Sequence, residues 1–314
     1  MESQVDITNL RRVIHKIQSE QRVDSIENVA KGMFAIALVL CLLIFSNLLI
    51  SAADVAKYLL LFFNGVIIAV FLNTLGVLIH ESQHGALTNT KFWNNFWGRA
   101  FSAFLIFPYF TGKKFHLEHH RFEREREKDP ENLFHDKSFW HAFLTGHNEY
   151  TRIHWVRMFN YIKQSKNIND KKEAIIDLIW CLGGVAFFIF FVLTLELNPI
   201  HAFVPAIIAG PLVFSFRYMT DHFGMEGKPA SLEEGYRKPI SRIIRTTPLL
   251  EWLWCHINYH QVHHHFPQIA HSLLPETYIK TKDLVSYQVE DGYIQVLKKI
   301  HNSRYYELNQ RSIS

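Results

Sequence analysis

Of the 314 residues, 19 are histidine, and eight of these fall into three tight clusters. The first is His80-Glu-Ser-Gln-His84, the second His116-Leu-Glu-His119-His120, and the third His260-Gln-Val-His263-His264. Spacings of three and four residues place side chains on one face of a helix, so each cluster presents its imidazoles toward one point. A single His-x3-His is as often a surface or core feature as a site. Three clusters together are different, because eight gathered imidazoles without a cation would leave acceptors unpaired or force like charges together. Neutral imidazole is the commonest metal ligand and suits iron, zinc, copper and nickel alike. One ion takes roughly four to six ligands, so the set predicts two metals.

The elements that must carry these clusters are apolar. Hydrophobic residues make up 48% of the chain and charged residues 20%, with a formal net charge of +4 that is modest for nucleic-acid binding. Gly and Pro together are too few for a collagen-like or disordered chain, and three cysteines (Cys41, Cys181, Cys255) cannot build a disulfide framework or a cysteine metal site. Four uncharged stretches are long enough to cross a bilayer: Gly32–Ala53, Tyr58–Ile79, Leu178–Leu195 and Leu197–Phe216. A fifth run, Ala100–Thr111, has 12 residues including Pro108, too short to span and suited to the interface or to packing on other helices.

With four spans, residues 1–31, 80–177 and 217–314 share one side and carry 32 of the 33 Lys and Arg residues, which assigns that side to the cytoplasm. All three histidine clusters emerge there. The expected fold is therefore an all-α integral membrane protein, two transmembrane hairpins under a cytoplasmic helical cap that holds the metals, with no β-sheet signal. Three segments are expected: a cytoplasmic N-terminal segment (1–31), a membrane domain (32–275) and a cytoplasmic C-terminal tail (276–314). In the first, Ile7, Leu10, Val13, Ile14 and Ile17 mark an amphipathic helix, equally suited to the membrane surface or to packing on the cap.

The order His-x3-His, His-x2-His-His, His-x2-His-His, spaced by two apolar hairpins, resembles the membrane fatty acid desaturase and hydroxylase superfamily. Asp129-Pro130 after the second box and His264-His265-Phe266-Pro267 closing the third support the resemblance, which covers about Asn73 to Pro275. Asp221-His222-Phe223-Gly224, past the fourth span, resembles the place where the family supplies a further ligand. The resemblance thus implies a non-haem di-iron centre held by His80, His84, His116, His119, His120, His222, His260, His263 and His264. It further implies O2 as co-substrate and an external electron donor, ferredoxin or cytochrome b5 with its reductase. Glu81, Asn258 and His256 are candidates for the shell behind the ligands. His201 falls at the opposite face, and His15, His135, His141, His147, His154, His271 and His301 are background.

The resemblance implies an O2-dependent fatty-acyl desaturase acting on a lipid or carrier-bound chain. The same boxes serve hydroxylases, ketolases and acetylene-forming enzymes acting on acyl, carotenoid or terpenoid substrates. His80-Glu81-Ser-Gln-His84 also fits the zinc protease pattern His-Glu-x-x-His, but that reading leaves the other two clusters unexplained. Phe107, Tyr109, Phe110, Phe115, Trp252, Trp254 and Tyr259 are candidates to line a substrate path, with core packing the alternative for most. The run Arg121–Asp129 alternates in sign and reads as a solvated, self-paired surface more readily than as a docking face. The compact chain favours a bacterial inner membrane over the endoplasmic reticulum. Replacing His119 or His263 with Ala is expected to abolish turnover and lower bound iron, while His201→Ala changes neither; metal analysis beside an activity assay checks this.

Overall fold

The computed structural model describes residues 6–21, 23–49, 56–123, 128–131, 138–223, 225, 236, 239 and 241–302. Residues 51–55 of the first turn, 124–127 of the charged run, His135, Gly224 and the C-terminal residues 303–314 lie outside the described residues.

The described residues are helical almost throughout. A short helix, α1 (Ile7–Glu20), is capped by Asp6, whose carboxylate accepts from Asn9 N at 2.9 Å. Two long helices follow, α2 (Ser25–Leu49) and α3 (Ala56–His84), then α4 (Lys91–Phe104), α5 (Tyr109–Phe122) and α6 (Phe139–Gln164). The second pair of apolar helices is α7 (Ile168–Thr194) and α8 (Pro199–His222). Among the described residues four helices, α2, α3, α7 and α8, are long and apolar enough to cross a membrane, and each covers most of one of the four stretches read from the sequence. The short apolar run does not form one element: α4 ends inside it, Ile106 adopts a left-handed φ of 51°, and α5 starts after Pro108. Left-handed backbone costs a non-glycine residue about 1–2 kcal/mol, so this corner is held by its surroundings.

The C-terminal third is built from short pieces: α9 (Pro248–Leu253), a 3-10 turn (Ile257–Tyr259), α10 (His260–His265), α11 (Leu274–Thr281) and α12 (Tyr293–Asn302). The all-α expectation holds with one small addition: β1 (Ile243–Ile244) pairs in parallel with β2 (Val289–Glu290). Two residues per strand carry no readable alternation, which is why the sequence pattern is silent about them.

Of the four membrane helices α3 is the most buried, and it packs against α2, α4, α5 and α8. Asn64 ties it to α2 by donating to Leu42 O at 3.0 Å and to Ser46 Oγ at 2.6 Å. Gly65 lets α8 approach so closely that an added Cβ would lie 2.6 Å from Pro205 O. On the other side, Arg99 of α4 donates to Asp177 of α7 at 3.3 Å and also pairs with Glu173, while Asp177 accepts from Phe110 N at the start of α5. The amphipathic face of α1 is covered by protein: Leu10 and Ile17 are buried in a second core with Val262, Phe266 and Leu274. Tyr293, Val296 and Ile300 of α12 join the main core.

A Gly65→Leu substitution is expected to force α3 from α8 and destabilise the protein by about 1–3 kcal/mol. Gly183→Ala, where an added Cβ meets nothing within 4 Å, should leave the thermal midpoint in detergent unchanged or raised.

Candidate metal centre

The centre forms where α3 and α8 end together. His80 and His84 occupy the last turns of α3, His222 is the final residue of α8, and α5 and α10 bring the second and third clusters against them. All nine sequence candidates converge, in two pockets. His80, His84, His116, His120 and His263 form one group, and His119, His222, His264 and Glu123 form another, each with one atom per residue within 4.8 Å of all the rest. His260 joins the second, its Nε2 lying 2.8 Å from His222 Nε2 and 3.0 Å from His264 Nε2.

Helix periodicity explains the partition. Members of each i, i+4 pair (His80/His84, His116/His120, His260/His264) go to the same pocket, whereas His119 and His263, set off by three residues or by one, go to the other. The second and third clusters therefore do not each aim at one point; each supplies both pockets. The pockets share a wall, with His120 stacked on His264 at 4.4 Å between ring centroids and His263 Nε2 3.2 Å from His120 Nε2.

The distances fit ligands of common ions. His84 Nε2 and His120 Nε2 lie 2.8 and 2.9 Å from His116 Nε2. Metal–imidazole bonds of about 2.0–2.1 Å set at right angles separate neighbouring nitrogens by about 2.9 Å.

Buried carboxylates stand behind the rings. Glu81 Oε1 lies 3.2 Å from His80 Nδ1, Glu131 Oε1 3.2 Å from His116 Nδ1, Asp129 Oδ1 2.9 Å from His119 Nδ1, and Glu123 Oε2 3.0 Å from His264 Nδ1. An ionised carboxylate only accepts, so His116 and His119 donate from Nδ1 to Glu131 and Asp129 and turn Nε2 inward. The buried Nε2 atoms of His80 and His119 have no hydrogen-bond partner from the protein, as ligand atoms awaiting a cation would. Burial holds His120, His260, His263 and His264 well below the usual histidine range, and so mainly neutral. At His119 burial is outweighed by Glu131 and Asp129, which raise it to about 9; a metal would take the place of that proton. Glu131, despite burial, is held down at about 2 by His119 and His116.

The outer candidates separate. Glu81 also accepts from His271 N at 3.3 Å, so its carboxylate braces the site and is not poised as the base of a zinc protease. Asn258 braces the backbone, donating to Ile244 O and Glu251 Oε1, both at 3.0 Å. His256 points elsewhere: with Cys255 it makes a left-handed corner (φ 53° and 50°), and its ring stacks toward His271 at 6.4 Å. His201 sits in the first turn of α8, about 30 Å along the helix from His222. Glu123, Asp129 and Glu131 were missed in the sequence; Glu123 and Asp129 belong to the charged run read as surface, yet both are buried against histidines.

A cavity of about 740 Å³ leads away from the centre. His80 and His116 of one pocket and His222 and His260 of the other line one end, while Val39, Leu43, Phe188 and Phe203 line its apolar part. All four membrane helices contribute. Of the seven aromatic candidates, Phe107 alone is among its described walls; His147, read as background, is another.

Residues 56–291 match the family described as fatty acid desaturase. No curated protein matches the chain. The match covers three-quarters of the sequence, and the chain belongs to the fatty acid desaturase family, membrane-embedded oxidoreductases of the desaturase and hydroxylase kind. Asp129→Ala, which strips His119 of its carboxylate, is expected to lower iron affinity about 10–100-fold in a metal titration of the purified protein.

Proposed function

We propose that this member of the fatty acid desaturase family is an O2-dependent di-iron enzyme that introduces a double bond into a lipid or carrier-bound acyl chain. The observation that carries the reading is the cavity: apolar walls drawn from four membrane helices end at histidines of both pockets. An acyl chain in it would present a methylene to the centre while shedding water from its whole length. His80, His84, His116, His120 and His263 would hold one iron, and His119, His222, His260 and His264 the other, with Glu123 beside the second. Iron bound there supplies the activation of O2 that an unactivated C–H bond requires.

This chain's own residues position and insulate. Glu81, Glu123, Asp129 and Glu131 fix ring orientation, and their burial keeps bulk water from competing for the ligands. Desaturation removes two hydrogens from the substrate; with two electrons and two protons from outside, O2 leaves as two waters. The three cysteines are free, so no iron–sulfur centre is built from them, and the reading takes a separate donor, ferredoxin or cytochrome b5 with its reductase. The excess of Lys and Arg on the histidine side supports a cytoplasmic centre.

Hydroxylation or ketolation at the same site is the second reading. It is favoured by polar groups in the cavity wall, Asn73, His147, Thr151 and Arg217 among them, for which a bare hydrocarbon has no use. Expression with a compatible donor, followed by mass spectrometry of total lipids, separates the two. Loss of two hydrogens from acyl chains is the expected result; gain of one oxygen supports the second reading, and turnover that survives anaerobiosis rejects both.

A further inference from the structure

The cavity continues past the histidines into the membrane helices, and it carries there a polar group without a partner. Asn73 lies in the middle of α3, lines the cavity and is 7% exposed, and its Nδ2 has no hydrogen-bond partner from the protein. The other asparagine of this helix, Asn64, spends its amide on α2. Asn73 holds no helices together, so its burial in an apolar span calls for a different account.

Its position is informative. Asn73 precedes His80 by seven residues, two helical turns on the same face, which places it about 10 Å from the centre along the helix. Gly210 of α8 lies at the same level, an added Cβ there approaching Leu72 Cδ1 at 3.9 Å. One residue on, Pro211 has no N–H and denies the Ile207 carbonyl its usual helical donor. The neighbours of Asn73 on α3 in the wall, Ala69, Leu72 and Gly76, offer no side-chain polar group to a water bound at the amide.

Gly76 stands between Asn73 and His80, also in the cavity wall. Glycine weakens a helix relative to alanine, and at Gly65 and Gly98 tight packing explains it. At Gly76 an added Cβ would meet nothing within 4 Å, so packing does not require the glycine, which keeps the passage wide.

We infer that Asn73 is a substrate-reading residue, donating from Nδ2 to a hydroxyl or carbonyl oxygen on the deep part of an elongated apolar substrate that passes Gly76 and is oxidised about 10 Å away. The substrate class is then an acyl or terpenoid-like chain that carries an oxygen remote from the carbon to be oxidised. This rests on the proposed use of the cavity. A hydroxyl or carbonyl oxygen suits the place, since either accepts from Asn73 Nδ2.

The test is equilibrium binding to the full-length, iron-loaded protein in lipid nanodiscs. The probes are stearic acid and a series of hydroxystearic acids with the hydroxyl stepped along the chain. One position in the series should bind about tenfold tighter than stearic acid, and Asn73→Leu should erase that preference. Gly76→Leu should weaken every probe. In ligand-free protein the thermal midpoint of Asn73→Leu should equal or exceed that of wild type, whereas a structural asparagine would lower it; Asn73→Ala repeats both readouts. A preference that survives Asn73→Leu and Asn73→Ala, or no preference at any position, overturns the inference while leaving the cavity reading intact. Failure of all probes to bind wild type removes the cavity reading and this inference with it.

Discussion

Buried carboxylates oblige imidazoles to turn their lone pairs toward one another. Glu81, Glu131, Asp129 and Glu123 each sit against the Nδ1 of a cluster histidine, and at His116 and His119 the hydrogen bond commits Nδ1 to donate outward and aims Nε2 inward. Nε2 atoms of the cluster rings meet at 2.8–3.2 Å, and two acceptors that close repel unless something positive lies between them. In a site this dry a cation is the economical remedy. The helix ends, the corner before α10 and the burial of the carboxylates all serve that arrangement.

The scaffold converts membrane helices into a rigid frame for chemistry at their ends. α3 and α8 run side by side, kept close by Gly65, and finish with histidines of opposite pockets. The helices α5 and α10, too short to stand alone, are set by neighbours: the Asp177 carboxylate catches the N-terminus of α5, and Asn258 pins the turn before α10 to β1. The same two long helices also wall the cavity, so the depth of the substrate relative to the metals is fixed by helix geometry, which varies less than a loop.

Much of this was legible in the sequence, because its strongest signals are local. Apolar runs of 18–22 residues mark all four spans, and the three His clusters, with His222, name every imidazole of both pockets. What escaped depends on contacts between distant segments. Charge alternation in Arg121–Asp129 looks like a solvated surface, but Glu123 and Asp129 are drawn inward by histidines whose position the run itself does not reveal. His256 lies one turn from His260 on paper; the left-handed corner at Cys255 and His256 breaks the helix on which that reasoning relies. The division of each later cluster between two pockets likewise follows from where neighbouring helices stand, as does the unpaired amide of Asn73.

The central claim is that two iron ions fill two histidine pockets of this chain. Anomalous diffraction from crystals of the active enzyme, collected on both sides of the iron absorption edge, tests it directly. The account predicts two iron peaks, one among His80, His84, His116, His120 and His263, the other among His119, His222, His260 and His264. A single peak, or a signal that appears only at the zinc edge, would contradict it.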